Sequence, residues 1–239
     1  MRRMADPESA KGRTEGADSR HPLHYFMNEF KNKVAFVLHR AGVSADFLTV
    51  AGLALAFTAG WFIWRGLFFW AGILVLLSGV FDLLDGAVAR AAEAAHSFGG
   101  ILDSSLDRYG DGFIFGGAAL FYANGGKTLY AALSLSALIG AFAVSYVRAR
   151  AECAMKTCRV GFWERGERLV YAALGLTLHH FTTVLWVLGI ATHWTAIQRL
   201  LFAFQGGRPN PVLTPESGRG EPVYFLKVGI LLWLVLFWK

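Results

Sequence analysis

Apolar residues run along this chain in long blocks, interrupted at only a few places by clustered charge. Six stretches come close to the roughly 20 apolar residues a bilayer-spanning helix needs. They are Phe47 to Trp64, Gly66 to Phe81, Ile101 to Tyr122, Leu129 to Val147, Leu169 to Leu178 and Thr182 to Phe204. The pattern predicts an all-α, integral membrane bundle of about six transmembrane helices over residues 43–205. Ahead of it, Leu23, Phe26, Met27, Phe30, Val34, Val37 and Leu38 recur at three- and four-residue steps, with Lys31, Lys33 and Arg40 among them. That spacing predicts an N-terminal interfacial amphipathic helix over 21–42, lying on an anionic membrane surface.

Residues 1–20 are polar and charged and lack the apolar core of a secretion signal, so a disordered tail is expected there. Residues 206–239 hold a Gly- and Pro-rich loop, then Val223 to Trp238, which is apolar but short and carries Lys227. It is read either as a seventh membrane segment or as an interfacial anchor.

Composition supports the membrane reading. The 239 residues are 55% hydrophobic and 15% aromatic, too apolar for an ordinary soluble domain of this length. The net charge of +6 reflects cations gathered at one side of the membrane, and no nucleic-acid partner is expected. Eight Lys or Arg precede the first span and six more, Arg148, Arg150, Lys156, Arg159, Arg165 and Arg168, surround the fourth connection. The intervening turns hold only Arg65 and Lys127. By the positive-inside rule the protein is expected in the cell membrane, with the N-terminus and the 90–100 and 150–168 connections in the cytoplasm. Cys153 and Cys158 fall on that reducing side and lack the partners of a zinc site, so they are read as incidental.

The chemistry is concentrated in Asp82-Leu83-Leu84-Asp85-Gly86-Ala87-Val88-Ala89-Arg90 and Gly99-Gly100-Ile101-Leu102-Asp103-Ser104-Ser105-Leu106-Asp107. Asp82 and Asp85 lie three apart near the end of one span, and Asp103 and Asp107 four apart at the start of the next. Each pair therefore emerges from one helical face. Four carboxylates brought together at membrane depth repel one another strongly unless cations hold them. All the donors are hard oxygens, which favours Mg2+ or Mn2+, and two such ions about 4 Å apart suit a pyrophosphate. Gly86, Ala89 and Gly99 leave room for a ligand near the backbone, and Arg90 is placed to pair with phosphate. Asp111 continues the face of Asp103 and Asp107 and is read as a partner for Arg108 rather than as a fifth ligand. A divalent-cation transporter would also carry intramembrane acids, but these cluster at one membrane face and no inverted repeat is evident.

The pattern D-x2-D-G-x2-A-R-x8-G-x3-D-x3-D resembles that of the CDP-alcohol phosphotransferase family, over roughly Val43 to Phe204. The resemblance implies a bundle of six membrane helices, commonly dimeric, that makes phospholipids by displacing CMP. It implies that Asp82, Asp85 and Asp103 bind metal, that Asp107 binds metal or acts as the base, and that Gly86, Ala89, Arg90 and Gly99 lie against the CDP moiety. The family often has Pro-Asn where Ala45-Asp46 stands here, so Thr49 is given no role toward the nucleotide.

Ser145-Tyr146-Val147-Arg148-Ala149-Arg150-Ala151-Glu152, Glu164-Arg165-Gly166-Glu167-Arg168 and Gln198-Arg199 add several cations near the metal site, suggesting a pocket for a second phosphate. Arg165 alone is read as a juxtamembrane topology marker. These stretches resemble the prokaryotic inositol-phosphate branch, although that branch often has Lys where Arg148 stands. The resemblance implies CDP-diacylglycerol as donor and a phosphorylated polyol, inositol phosphate first and glycerol 3-phosphate second, as acceptor. It places the acceptor phosphate on Ser145, Arg148, Arg150, Arg168 and Arg199.

Overall fold

The computed structural model describes residues 33–38, 40–91, 97–155, 158 and 160–206. The tail expected over 1–20, the amphipathic segment before Lys33, and the loop and apolar segment after Gly206 lie outside the described residues. Six helices follow one another: α1 (Ala45–Trp64), α2 (Phe68–Ala91), α3 (Ser97–Asn124), α4 (Thr128–Ala154), α5 (Arg165–Thr177) and α6 (Phe181–Phe204). No strand occurs among the described residues.

Local sequence sets the ends. Ser44 caps α1, its hydroxyl accepting from the Phe47 N–H at 3.2 Å. The second span was expected to begin at Gly66, but that residue closes α1 instead. Gly66 takes φ +76, and the next residue, Leu67, donates its N–H back to Phe62 O at 2.8 Å. Gly126 repeats the device after α3, with φ +70 and a Lys127 N–H to Tyr122 O bond of 2.8 Å. At the other end α2 runs ten residues beyond the expected Phe81, because Asp82 to Ala91 continues in helix after apolarity has ceased.

Helices α1, α2, α4 and α6 are long and apolar enough to cross a membrane. The protein is an integral membrane protein. Helix α3 has 28 residues but carries Asp103, Asp107, Arg108 and Asp111. Helix α5 has 13 residues, which at 1.5 Å per residue makes it about 20 Å long, short of a full crossing. Its small apolar residues, Ala172, Ala173 and Leu176, are instead buried in the core with Ile63, Val75 and Ile114. Large apolar side chains such as Trp61, Trp70, Ile139 and Ile190 face outward, as lipid contact requires.

Helix α1 packs on α2 and α3, α5 on α2, and α4 on α3 and α6. At the α1–α3 crossing, Gly60 and Gly117 let the backbones touch. A Cβ on Gly117 would collide with the Gly60 carbonyl, and one on Gly60 with that of Phe113. Residues 33–38 are helical, and Ala35 packs with Leu48, Ala87 and Val88. The end of the expected surface helix thus rests on the charged ends of α1 and α2.

Candidate active site

Helix α1 packs on both α2 and α3, and acidic side chains from the end of α2 and the start of α3 meet beside it. One carboxylate oxygen each from Asp82, Asp85 and Asp103 lie within 4.8 Å of one another. Asp85 is buried and accepts a hydrogen bond of 2.8 Å from the Thr49 hydroxyl on α1. Asp103 Oδ1 is buried and makes no hydrogen bond among the described residues. Three hard carboxylates, one with an unmatched buried oxygen, fit Mg2+ or Mn2+.

Asp107 stands apart from that trio. Its Oδ1 lies 2.8 Å from Arg165 Nη1, which also lies 2.7 Å from Asp82 Oδ1. The reading of Arg165 as a topology marker is therefore corrected. It opens α5, where the Glu164 N–H donates to Glu167 Oε2 at 3.0 Å, and the helix start aims the guanidinium into the acidic site. A cation three residues from a second one was a visible signal, but its target, over fifty residues away, was not.

Asp111 does not partner Arg108. Its Oδ2 accepts from Arg168 Nη2 at 2.9 Å, with both side chains almost inaccessible. Arg108 is half-buried, lining the neighbouring cleft, bonding the Ser104 carbonyl and lying 3.7 Å from Asp107. One turn beyond Asp107, Asp111 is buried in the bundle, while Arg108 stays at the half-buried edge of the acidic site.

Beyond Asp107 lies a cleft of about 340 Å³ between α3, α4 and the start of α5, lined by Ser145, Arg148, Glu164, Arg165, Arg168 and Arg199 among others. Arg199, 2% exposed, is held by Nε to Val160 O and Nη1 to Val144 O, each at 2.8 Å. Arg168 spends Nη1 on Trp163 O at 3.3 Å, besides its bond to Asp111. Arg148 Nε contacts Glu152 Oε1 at 3.1 Å. Arg150 is exposed and does not line this cleft. A smaller space of about 20 Å³, room for a water, lies between Thr49, Ser78, Asp82, Asp85 and Asp107. Asp107 and Arg165 border both spaces.

On the opposite flank, a Cβ added to Gly86 would meet only the tip of Arg90, at 3.4 Å. Arg90 is exposed, while Ala89 and Gly99 are half-buried. Cys153 is exposed and Cys158 buried, both free thiols. Burial pushes the Cys158 thiol up, against the pull of Arg199, which is the reverse of what a zinc ligand needs.

Residues 43–204 match the family model for CDP-alcohol phosphatidyltransferase. A phosphatidylinositol phosphate synthase of Mycobacteroides abscessus is 36% identical over 205 residues, covering 80% of this chain and 90% of that protein. An archaetidylinositol phosphate synthase of Methanothermobacter thermautotrophicus is 34% identical over 189 residues, 77% of this chain and 94% of its own. The crystal structure of Mycobacterium tuberculosis phosphatidylinositol phosphate synthase with CDP-DAG bound superposes with a TM-score of 0.69 at 27% identity, over 76% of this chain and 98% of that one. The same enzyme in complex with manganese and citrate gives 0.66 at 27% identity, over 75% and 92%. The match spans the aspartate trio, Asp107 and the arginine-lined cleft alike, and the chain belongs to the CDP-alcohol phosphatidyltransferase family.

Proposed function

We propose that the protein transfers the phosphatidyl group of CDP-diacylglycerol to a phosphorylated polyol, inositol phosphate before glycerol 3-phosphate, and releases CMP. The observation that carries this is the position of Asp107, which borders the acidic site on one side and a cleft lined by Ser145, Arg148, Arg168 and Arg199 on the other. The names of the relatives, synthases of inositol phosphate lipids, support the same acceptor.

In this reading Asp82, Asp85 and Asp103 hold Mg2+ or Mn2+, two ions in all, which supply positive charge to the donor pyrophosphate. Gly86, Ala89, Arg90 and Gly99 flank the nucleotide, where small side chains and one cation allow close approach. Ser145, Arg148 and Arg199 orient the acceptor phosphate, with Arg168 buried behind them. Asp107, oriented by Arg165, takes the proton from the acceptor hydroxyl. The hydroxyl oxygen then bonds to the lipid-proximal phosphorus. The bond from that phosphorus to the bridging oxygen breaks, and CMP departs with the electron pair. Arg150, outside the cleft, is assigned to anionic headgroups.

The diacyl tails remain in the bilayer, so a membrane enzyme suits this donor. The site faces the cytoplasm of the cell membrane, because Arg148, Arg150, Arg165 and Arg168 gather at its end of the bundle and only Arg65 and Lys127 lie in the turns opposite. Residues 43–205 form the catalytic membrane domain, 21–42 its surface helix, and the enzyme is a homodimer, as the family resemblance implies.

The test supplies purified full-length protein with CDP-diacylglycerol, Mg2+ and each acceptor in turn, and measures CMP release. Inositol phosphate should give the highest kcat/KM. Superiority of glycerol 3-phosphate would move the acceptor within the same chemistry, and superiority of free inositol or serine would remove the phosphate pocket.

A further inference from the structure

The cations of the cleft are not equivalent. Arg165 is matched by Asp82 and Asp107, and Arg168 by Asp111. Buried Arg199 and half-buried Arg148, the latter already paired with Glu152 at 3.1 Å, converge on one atom. Arg148 Nη1 and Arg199 Nη2 each lie 3.9 Å from Glu164 Oε1. Neither separation is a hydrogen bond. Arg199 Nη2 is buried and has no hydrogen-bond partner among the described residues, although its own side chain is otherwise anchored. A buried, pre-aimed donor of this kind points to a ligand.

Glu164 is built differently from the residues around it. Its side chain is 53% exposed, and it precedes the first turn of α5, anchored through its backbone N–H to Glu167. The Glu164 side chain also accepts from the Glu167 backbone N–H, closing a capping box that fixes the helix start and leaves the carboxylate half-exposed at the rim of the cleft.

We propose that Glu164 is an internal counter-ion for the acceptor site: its carboxylate holds Arg148 and Arg199 together and is displaced when an acceptor phosphate arrives. This rests on the phosphate-pocket reading above. Two guanidiniums aimed at one point repel each other without an anion between them, and Glu164 supplies that anion at loose range. A phosphate monoester dianion, with three strong acceptor oxygens, can outcompete one loosely held carboxylate. A carboxylate ligand or a phosphodiester, each with a single charge, competes on far poorer terms. Glu164 therefore sets a threshold that selects dianionic phosphate monoesters, as a difference of affinities.

The experiment measures inhibition by inorganic phosphate against the phosphorylated acceptor, using purified full-length protein, CDP-diacylglycerol and Mg2+. Glu164→Gln should lower the inhibition constant for inorganic phosphate by about fivefold, the effect of removing a partly exposed ionic competitor. The acceptor KM should fall in the same direction. Glu164→Ser, which removes the charge but offers a hydroxyl to cap α5, should reproduce the drop, and Glu164→Asp should fall between. Glu167→Gln, which disturbs the same helix start but spares the carboxylate at 164, should leave the inhibition constant alone. A constant that is unchanged or raised in both Glu164→Gln and Glu164→Ser overturns the proposal, making Glu164 a bystander or an acceptor ligand. If inorganic phosphate fails to compete with the acceptor in the unaltered protein, the phosphate pocket falls, and the counter-ion falls with it.

Discussion

Asp111 on α3 and Arg168 on α5 meet at 2.9 Å with both side chains out of solvent, tying a membrane helix to a short one directly beneath the acceptor cleft. Removing one partner strands a buried charge. Arg168→Ala should therefore lower stability by about 3–5 kcal/mol. The paired replacement Asp111→Leu with Arg168→Met should recover most of it. Thermal unfolding in detergent checks both, and an unperturbed single variant would show the pair to be dispensable.

Asp85→Asn and Asp103→Asn should each abolish transfer while the folded protein stays in the membrane, because a neutral amide cannot replace a charged ligand of a divalent ion. CMP release across a Mg2+ titration is the measurement. Activity restored in both variants at saturating Mg2+ would defeat the metal assignment.

Thr49 holds Asp85 Oδ2 at 2.8 Å and, with Asp85 proposed as a metal ligand, would orient it without binding the ion itself. Thr49→Val should raise the Mg2+ concentration needed for half-maximal activity by about tenfold or more, while Thr49→Ser should stay close to the parent. Equal behaviour of the two variants would show the hydroxyl to be dispensable.

Arg199→Lys keeps the charge but loses the planar fork that bonds Val160 O and Val144 O. The acceptor KM should rise by about tenfold or more, as for loss of a charge-assisted contact of about 1.5–3 kcal/mol, while the KM for CDP-diacylglycerol stays in place. A shift confined to the donor would put Arg199 on the wrong substrate.

Which parts of this site were legible follows from the range of the interactions. Asp82 and Asp85, like Asp103 and Asp107, lie within one helical turn, so their shared face follows from spacing alone. Their cost at membrane depth marks them for cations. The partners of Asp111 and Arg165 belong to helices far apart in sequence, and no periodicity reports which helix lands beside which. Asp111 lies three residues from Arg108, a spacing that allows a pair, but Arg168 arrives from α5 and takes the carboxylate at 2.9 Å. Thr49 was set aside because the residues before it depart from the family pattern. Its hydroxyl lies one turn inside α1, 3.1 Å from the Ala45 carbonyl and 2.8 Å from Asp85, and the backbone carbonyl is there whatever side chain stands at 45. Hydropathy located the helices described between Ala45 and Phe204 but misjudged their ends, since Asp82 to Ala91 stays helical after its apolarity has ceased.

The bare crossing of α1 and α3 at Gly60 and Gly117 has a mechanical meaning for the chemistry. Asp107 lies ten residues from Gly117, so the helix between them is a lever arm of about 15 Å. A tilt of about 4° at that fulcrum carries the Asp107 backbone by about 1 Å, enough to spoil alignment with an incoming hydroxyl. A methyl group on Gly117 meets the Gly60 carbonyl and has nowhere to go except into such a tilt. Geometry at the acidic end of the bundle is thereby governed from within its apolar part, by two positions that carry no side chain at all.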